Sequence, residues 1–302
     1  MIPRFPEFKK LERSDREAVE AHTKLYPPYS DFNFTSMWSW DTEEALRLSE
    51  LNDNLIVRFT DYVTAEPFYM FLGTYAVNET VDALLTRSSQ EGLPPVLKLI
   101  PEIVVERLDR TLFSAEPDPD HADYVLSVEK LRGLEGPGFA PKRREMSRFV
   151  RLHTQSRFAS CDVADPGVVR GMHELFELWL VQKNAARIPA QEHEFVAMRR
   201  CLESNAGAHL VLTAVFVNEV LKAFWLIEDL GNGHAISHFE KADTADCPGI
   251  FAYLKQKTAE VLEKRGITYI NLEQDLGIEG LRQSKASYLP HEHLRKYRVR
   301  WL

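Results

Sequence analysis

The stretch from Ile270 to Pro290, INLEQDLGIEGLRQSKASYLP, concentrates side chains able to do chemistry. It reads as a strand ending in the acids Glu273 and Asp275. A turn led by Gly277 follows, then a short helix carrying Arg282 and Lys285, and a stop at Tyr288 and Pro290. Charge at the end of a buried strand is costly unless it meets a partner or a ligand. Period-two alternation puts Asn271, Glu273 and Asp275 on one face. Glu273 there suits a substrate ammonium, or a salt bridge to Arg282 or Lys285.

Two short segments are strongly basic. Residues 142–157 hold Lys142, Arg143, Arg144, Arg148, Arg151 and Arg157 against the single acid Glu145. Residues 282–300 hold Arg282, Lys285, Arg295, Lys296, Arg298 and Arg300 against Glu292. The whole chain carries −8, yet an anionic ligand responds to the local field more than to net charge. Lys142, Arg143, Arg144 and Arg148 follow a glycine-rich bend and open a helix, a placement that suits a phosphate-bearing ligand such as tRNA. The alternatives are a groove lined by both segments and two separate solvated basic faces. Cys247 precedes a helix start, where a thiol pKa can fall, but no base is paired with it in sequence.

The 302 residues are 44% hydrophobic and 27% charged. That is ordinary globular usage, with room for two domains. No apolar run reaches the roughly 20 residues a membrane helix needs. The start, MIPRFPEFKKLERSD, has no apolar core of a signal peptide. Three scattered cysteines, Cys161, Cys201 and Cys247, point to a reducing cytoplasm and give neither a disulfide framework nor a metal site. The chain contains no Walker loop, no GxSxG, no HExxH and no GxGxxG. That excludes the common NTPase, hydrolase, zinc-protease and dinucleotide readings.

The elements that must position these residues alternate along the chain. Helices are expected over 10–22, 79–90, 102–112, from Pro141, over 165–184, 190–204 and 250–265. Strands are expected over 54–60, 68–75, 96–100, 124–131, 209–217, 221–229, 234–240, 267–273 and 294–302. The aromatic segment 26–40 reads as a buried connection with Phe32, Phe34, Trp38 and Trp40 in the core. The acidic, proline-rich loop 114–123 marks a boundary between a domain of residues 1–123 and one of 124–302. Residues 208–273 run strand, strand, strand, helix, strand, and residues 54–100 show a shorter version of that order.

That order is the core of the GNAT acyltransferase fold. YSDFNFTSMWSW, LRGLEGPGFAPKRREMSRF, HFEK and NLEQDLGIEGLRQSKASYLP resemble, in this order, the signatures of the phosphatidylglycerol lysyltransferase C-terminal-like family. The resemblance covers about residues 5–300. It implies an α+β fold of two tandem GNAT-like domains, each a mixed, mostly antiparallel sheet flanked by helices. It also implies transfer of an aminoacyl group from aminoacyl-tRNA to a small-molecule, peptide or lipid-headgroup acceptor through an amine or hydroxyl. Acyl transfer needs a base for the nucleophile and stabilisation of developing charge. In such a sheet the central strands splay where the reacting groups meet. Glu240, at a strand end, is the first candidate base, with His238 behind it on the same face by alternation. Lys285 matches the lysine that precedes an aromatic-x-Pro element, here Tyr288–Pro290, in lipid-modifying relatives. The loop KADTADCPGIF, in the position of the acetyltransferase pyrophosphate loop, has one glycine and two acids, which repel phosphate. An acyl-CoA donor, as in an N-acetyltransferase, is one alternative. A non-catalytic binding module for an anionic ligand is the other.

Overall fold

A computed structural model of the chain describes residues 1–61, 66–182, 189–204 and 209–302. The chain opens with β1 (Lys9–Lys10), α1 (Arg16–Thr23), α2 (Phe34–Trp40), β2 (Arg47–Leu51), β3 (Asn54–Thr60), β4 (Pro67–Leu72) and α3 (Val77–Gln90). Next come β5 (Leu97–Pro101), α4 (Glu102–Val105), β6 (Phe113–Pro117), β7 (Asp123–Ser127), α5 (Val128–Gly133), α6 (Ala140–Leu152) and β8 (Ser156–Cys161). The rest is α7 (Pro166–Gln182), α8 (Pro189–Leu202), β9 (Leu210–Val217), β10 (Val220–Asp229), β11 (His234–Ala242), α9 (Ile250–Lys264), β12 (Tyr269–Asn271), α10 (Glu279–Ala286), β13 (Glu292–Leu294) and β14 (Lys296–Trp301). The fold is α+β, and the chain forms two compact units. One is Met1–Asp123 with Gln274–Leu281 and His293–Leu302; the other is Tyr124–Glu273 with Arg282–Glu292. Residues 274–281 and 293–302 thus cluster with 1–123 rather than with their chain neighbours.

The first unit holds a four-stranded sheet in the order β1-β2-β3-β4 and a three-stranded one in the order β5-β14-β6. Near-continuous apolar runs such as FYMFL in β4 are buried. The aromatic segment is not a plain connection. Asn33 caps a helix there by accepting from the Ser36 N–H at 2.8 Å, which satisfies one of the donors a helix start leaves open. Phe32 and Phe34 are buried, whereas Trp38 and Trp40 stay half-exposed. The helix expected over 102–112 stops at Val105, and Phe113–Pro117 forms a strand against β14. Lys296 on β14 is fully buried, ion-paired with Asp31 and, at 2.6 Å, with Asp123. Burial pushes the Asp31 carboxyl up, while Asp123 and Asp31 hold the Lys296 ammonium above its ordinary value against burial.

The second unit is built on the strand order β7-β12-β11-β10-β9-β8. β8 to β11 are successively antiparallel, and β11 and β12 are parallel, joined through α9. The β9–β10 hairpin turns on Asn218 and Glu219, both with left-handed φ, 50° and 62°. A mirror-image two-residue turn requires that conformation at both positions. The stretch 124–131 is strand only to Ser127, whose side chain then accepts from the Lys130 N–H and starts α5. Ile250, Leu254, Ala259 and Leu262 pack with Trp225, Ile227, Ala235 and Ile270. Their spacing makes the apolar stripe of α9. Gly249, at φ 89°, precedes α9, and a Cβ there would overlap the backbone oxygen of Glu145 in α6.

Candidate functional site

β11 and β12 pair over three residues only, ending at Ile236 opposite Asn271. β11 then continues to Ala242 paired with β10 but no longer with β12, so the two central strands splay. The Leu272 carbonyl, freed by the splay, accepts from Lys285 Nζ at 2.7 Å, as a backbone group without a ladder partner must find another. Glu273 follows with a left-handed φ of 60°, and its N–H is held by the buried Asn271 side chain at 2.7 Å. Three residues selected in sequence, Lys285, Asn271 and Glu273, therefore meet at the strand end. Asp275 belongs to the first unit, where its buried carboxylate accepts from the Gly277 N–H at 2.8 Å. Arg282 is half-exposed on α10.

His238 and Glu240 do not share a face. The β10–β11 register slips by one residue, so that Trp225 lies opposite Glu240 and Ile227 opposite Ser237. His238 is the extra residue of this bulge, and alternation does not carry across it. Glu240 lies on the α9 side with Ser237, which accepts from Trp225 Nε1 at 2.7 Å. His238 lies on the other side with Glu228, 3.2 Å from its Nε2, while Glu273 is 3.8 Å from its Nδ1. Burial lowers the His238 pKa, but the two carboxylates outweigh it and raise it to about 9. Each carboxylate favours the charged ring. At neutral pH His238 is an imidazolium, a fixed cation and not a base.

Glu240 faces a polar cluster inside the apolar core. Its Oε2 accepts from Lys255 Nζ at 2.5 Å, and its Oε1 is sealed from solvent with no hydrogen-bond partner among the described residues. The Lys255 ammonium sits 4.0 Å from the Trp225 ring centroid and 5.3 Å from that of Tyr288. Burial lowers its pKa against the pull of Glu240. Lys142, at the start of α6, covers the Tyr288 ring at 4.6 Å and pairs with Glu145 at 3.2 Å. Tyr288 is buried, and burial with the charges of Glu240 and Glu145 raises its phenol well above the ordinary range. Lys255 escaped the sequence reading. A lysine bordering the apolar stripe of α9 was the available signal, but the same pattern marks a solvated helix edge.

The two basic segments differ. In 295–300 every cation has an acid of its own unit: Arg295 with Glu102, Lys296 with Asp31 and Asp123, Arg298 with Asp118, and Arg300 with Glu116. This part of the second segment offers a ligand no spare charge. In the first, Arg143 caps the carbonyls of Leu134 and Gly136, and Arg157 pairs with Glu219. Arg144, Arg148 and Arg151 are spaced i, i+4 and i+7, one stripe along α6. They lie at the surface, and no acidic side chain among the described residues pairs with them. With Ala140, Arg143 and Ser147 they line an open depression.

The loop before α9 carries a buried, ion-paired acid. Asp243 is buried, accepting from Lys222 at 2.7 Å and Gln182 at 2.8 Å, and these bonds hold its carboxyl low against burial. Cys247 is buried, and burial raises its thiol. A thiol held protonated in this way is no nucleophile. Among the described residues no group of three His, Cys, Asp or Glu could hold a metal ion, and no helix is long and apolar enough to cross a membrane.

Antiparallel strands feeding a splayed parallel pair through one helix define a GNAT-like acyltransferase fold. The chain belongs to the phosphatidylglycerol lysyltransferase C-terminal family, whose model matches residues 23–300. Among solved structures it resembles a conserved protein of unknown function from Bacteroides thetaiotaomicron (TM-score 0.84, 25% identity, 100% of both chains). It also resembles the C-terminal domain of a putative lysylphosphatidylglycerol synthetase from Agrobacterium fabrum (0.65, 13%, 95% of this chain and 92% of that one). L-PGS from Bacillus licheniformis is similar too (0.62, 14%, 99% and 93%). A comparison with curated protein sequences gives no significant match.

Proposed function

We propose that the protein is an aminoacyltransferase that takes its aminoacyl group from aminoacyl-tRNA and passes it to a hydroxyl or amine acceptor. The chemistry falls at Glu240 in the second unit. The observation that carries this reading is Glu240 Oε1, a sealed carboxylate oxygen that meets no donor among the described residues, on β11 beyond the end of its pairing with β12. A buried acceptor of that kind is costly unless a ligand satisfies it. The acceptor's O–H or N–H donates to Oε1 as its heavy atom attacks the ester carbonyl of the donor. The carbonyl carbon's bond to the donor oxygen then breaks, and that oxygen takes the proton back from Glu240. Glu273 at the strand end is paired with the His238 cation on the face away from Glu240, so the aminoacyl ammonium is not assigned to it, and Lys285 holds the Leu272 carbonyl. Arg144, Arg148 and Arg151 supply a phosphate-binding stripe on the helix that begins with Lys142.

Family membership supports the reading, as do the lysylphosphatidylglycerol synthetase names of two structural neighbours. Acyl-CoA is disfavoured as donor by Asp243, a buried acid in the loop where such a fold would take phosphate, already paired with Lys222. A thermal-shift comparison of bulk aminoacyl-tRNA, deacylated tRNA and a coenzyme A panel tests the proposal, since a ligand of the folded state stabilises it as RT ln(1 + [L]/Kd). A shift with charged tRNA, larger than with deacylated tRNA and fading with salt, is expected. A shift with acyl-CoA alone moves the protein to the N-acetyltransferases. No shift with either leaves a binding module whose Glu240–Lys255 pair is structural.

A further inference from the structure

The Glu240–Lys255 pair has a geometry that a merely stabilising ion pair does not need. A buried carboxylate normally satisfies both oxygens, since each unpaired acceptor in low dielectric costs free energy. Here one oxygen takes the Lys255 ammonium at 2.5 Å and the other meets no partner among the described residues. The ammonium is itself immobilised. The Trp225 indole lies 4.0 Å away and Tyr288 5.3 Å away, and the Lys255 side chain is only 5% exposed. A lysine whose stem runs along α9 and whose head is clamped between two rings has little rotamer freedom left, so it fixes the carboxylate it holds.

We propose that Lys255 is the positioning residue of the transfer centre: it takes Glu240 Oε2 out of play and presents Oε1 as the single acceptor for the incoming nucleophile's proton. The proposal rests on the aminoacyl-transfer reading given above. The proton that Oε1 receives leaves with the donor's ester oxygen, so Lys255 keeps its own protons throughout. Other charged groups close to the pair are Lys142 and Glu145 from α6, and the Tyr288 phenol lies beside it. Lys142 and Glu145 neutralise one another, which leaves Lys255 as the cation that Glu240 meets.

Two measurements separate this proposal from the reading beneath it. The first needs no turnover. In protein labelled with 15N-lysine, the Lys255 amine is identified by loss of its signal in Lys255→Arg, and its titration is followed in wild type and Glu240→Gln. Glu240 holds the Lys255 pKa up against burial, so Glu240→Gln is expected to lower the midpoint by at least one pH unit, a tenfold change. An unmoved midpoint overturns the pairing in solution, and with it the positioning role.

The second measurement follows loss of bulk aminoacyl-tRNA with glycerol and with ethanolamine as probe hydroxyl and amine. Lys255→Met keeps the stem on Trp225 and removes the charge. It is expected to lower the saturated rate at least tenfold with the half-saturating tRNA concentration unchanged, and Lys255→Arg is expected to restore most of that rate. Equal rates in Lys255→Met and wild type overturn the positioning role. A Lys255→Arg variant as slow as Lys255→Met does so as well, because a loss that the conservative cation cannot restore is one of packing. Should Lys255→Met not fold, Lys255→Gln is used against the same Lys255→Arg control. A wild type that consumes no aminoacyl-tRNA with either probe overturns the transfer reading, while the lysine titration still decides the pairing.

Discussion

Lys255 Nζ lies 2.5 Å from Glu240 Oε2, and the two residues come from the helix and the strand on either side of the loop that other GNAT-like proteins use for phosphate. Removing one partner strands the other's charge in the core. Lys255→Met is expected to cost about 3 kcal/mol, the low end for a buried pair, because Glu240 keeps a fifth of its side-chain exposure. Lys255→Met combined with Glu240→Gln is expected to recover most of that loss. Urea unfolding of the two singles and the double measures the coupling, and additive losses would remove the pair from the core energetics.

His238 makes stability depend on pH in a definite direction. Its folded pKa of about 9 lies above the ordinary 6.5. Its contribution is therefore complete below about pH 6.5 and is lost as pH rises through about 9. The shift corresponds to roughly 3 kcal/mol. His238→Gln is expected to destabilise the protein more at pH 6.5 than at pH 9.5, read by urea unfolding at both. Equal losses at the two pH values would mean that Glu228 and Glu273 do not hold the imidazolium.

The arginine stripe of α6 predicts a salt effect. If Arg144, Arg148 and Arg151 meet phosphates, the triple alanine variant binds tRNA more weakly and its slope of log K against log salt falls by about 1 per lost contact. All three lie at the surface and lack acidic partners among the described residues, so melting should hardly change. An unchanged slope in a filter-binding titration would place tRNA elsewhere.

Gly249→Ala should be severe. The residue has φ 89°, and a Cβ there would collide with the Glu145 backbone. A rotamer change cannot relieve a clash with backbone, and the φ itself disfavours a side chain. Strain and overpacking together predict a loss of about 3 kcal/mol or more by thermal or urea unfolding. A loss below about 1 kcal/mol, the scale of an ordinary substitution, would mean that α6 is not seated on the start of α9 as described.

Much of the fold was legible because its signals are local. The hairpin at Asn218–Glu219, the apolar stripe of α9 and the acid-rich strand end at Glu273 each follow from period and turn chemistry. What stayed hidden is non-local. The bulge at His238 moves one residue across the sheet, and no spacing in HFEK announces it, so His238 and Glu240 looked like neighbours. The pairing of Arg295, Arg298 and Arg300 with Glu102, Asp118 and Glu116 joins positions far apart in the chain, so a charge-neutral network read as a basic patch. Lys255 sits among apolar residues in a helix, and only the tertiary fold brings Glu240 to its ammonium.

β14 lies between β5 and β6, strands far upstream of it in the chain, and it carries the buried Lys296. The first unit therefore cannot close its three-stranded sheet while the ribosome is still making the second. Until residue 301 has emerged, β5 and β6 have no common neighbour, and Asp31 and Asp123 wait without their cation. Synthesis from the N-terminus thus favours completing the sheet core of the second unit early and sealing the first unit late, the reverse of the order in which their first residues appear.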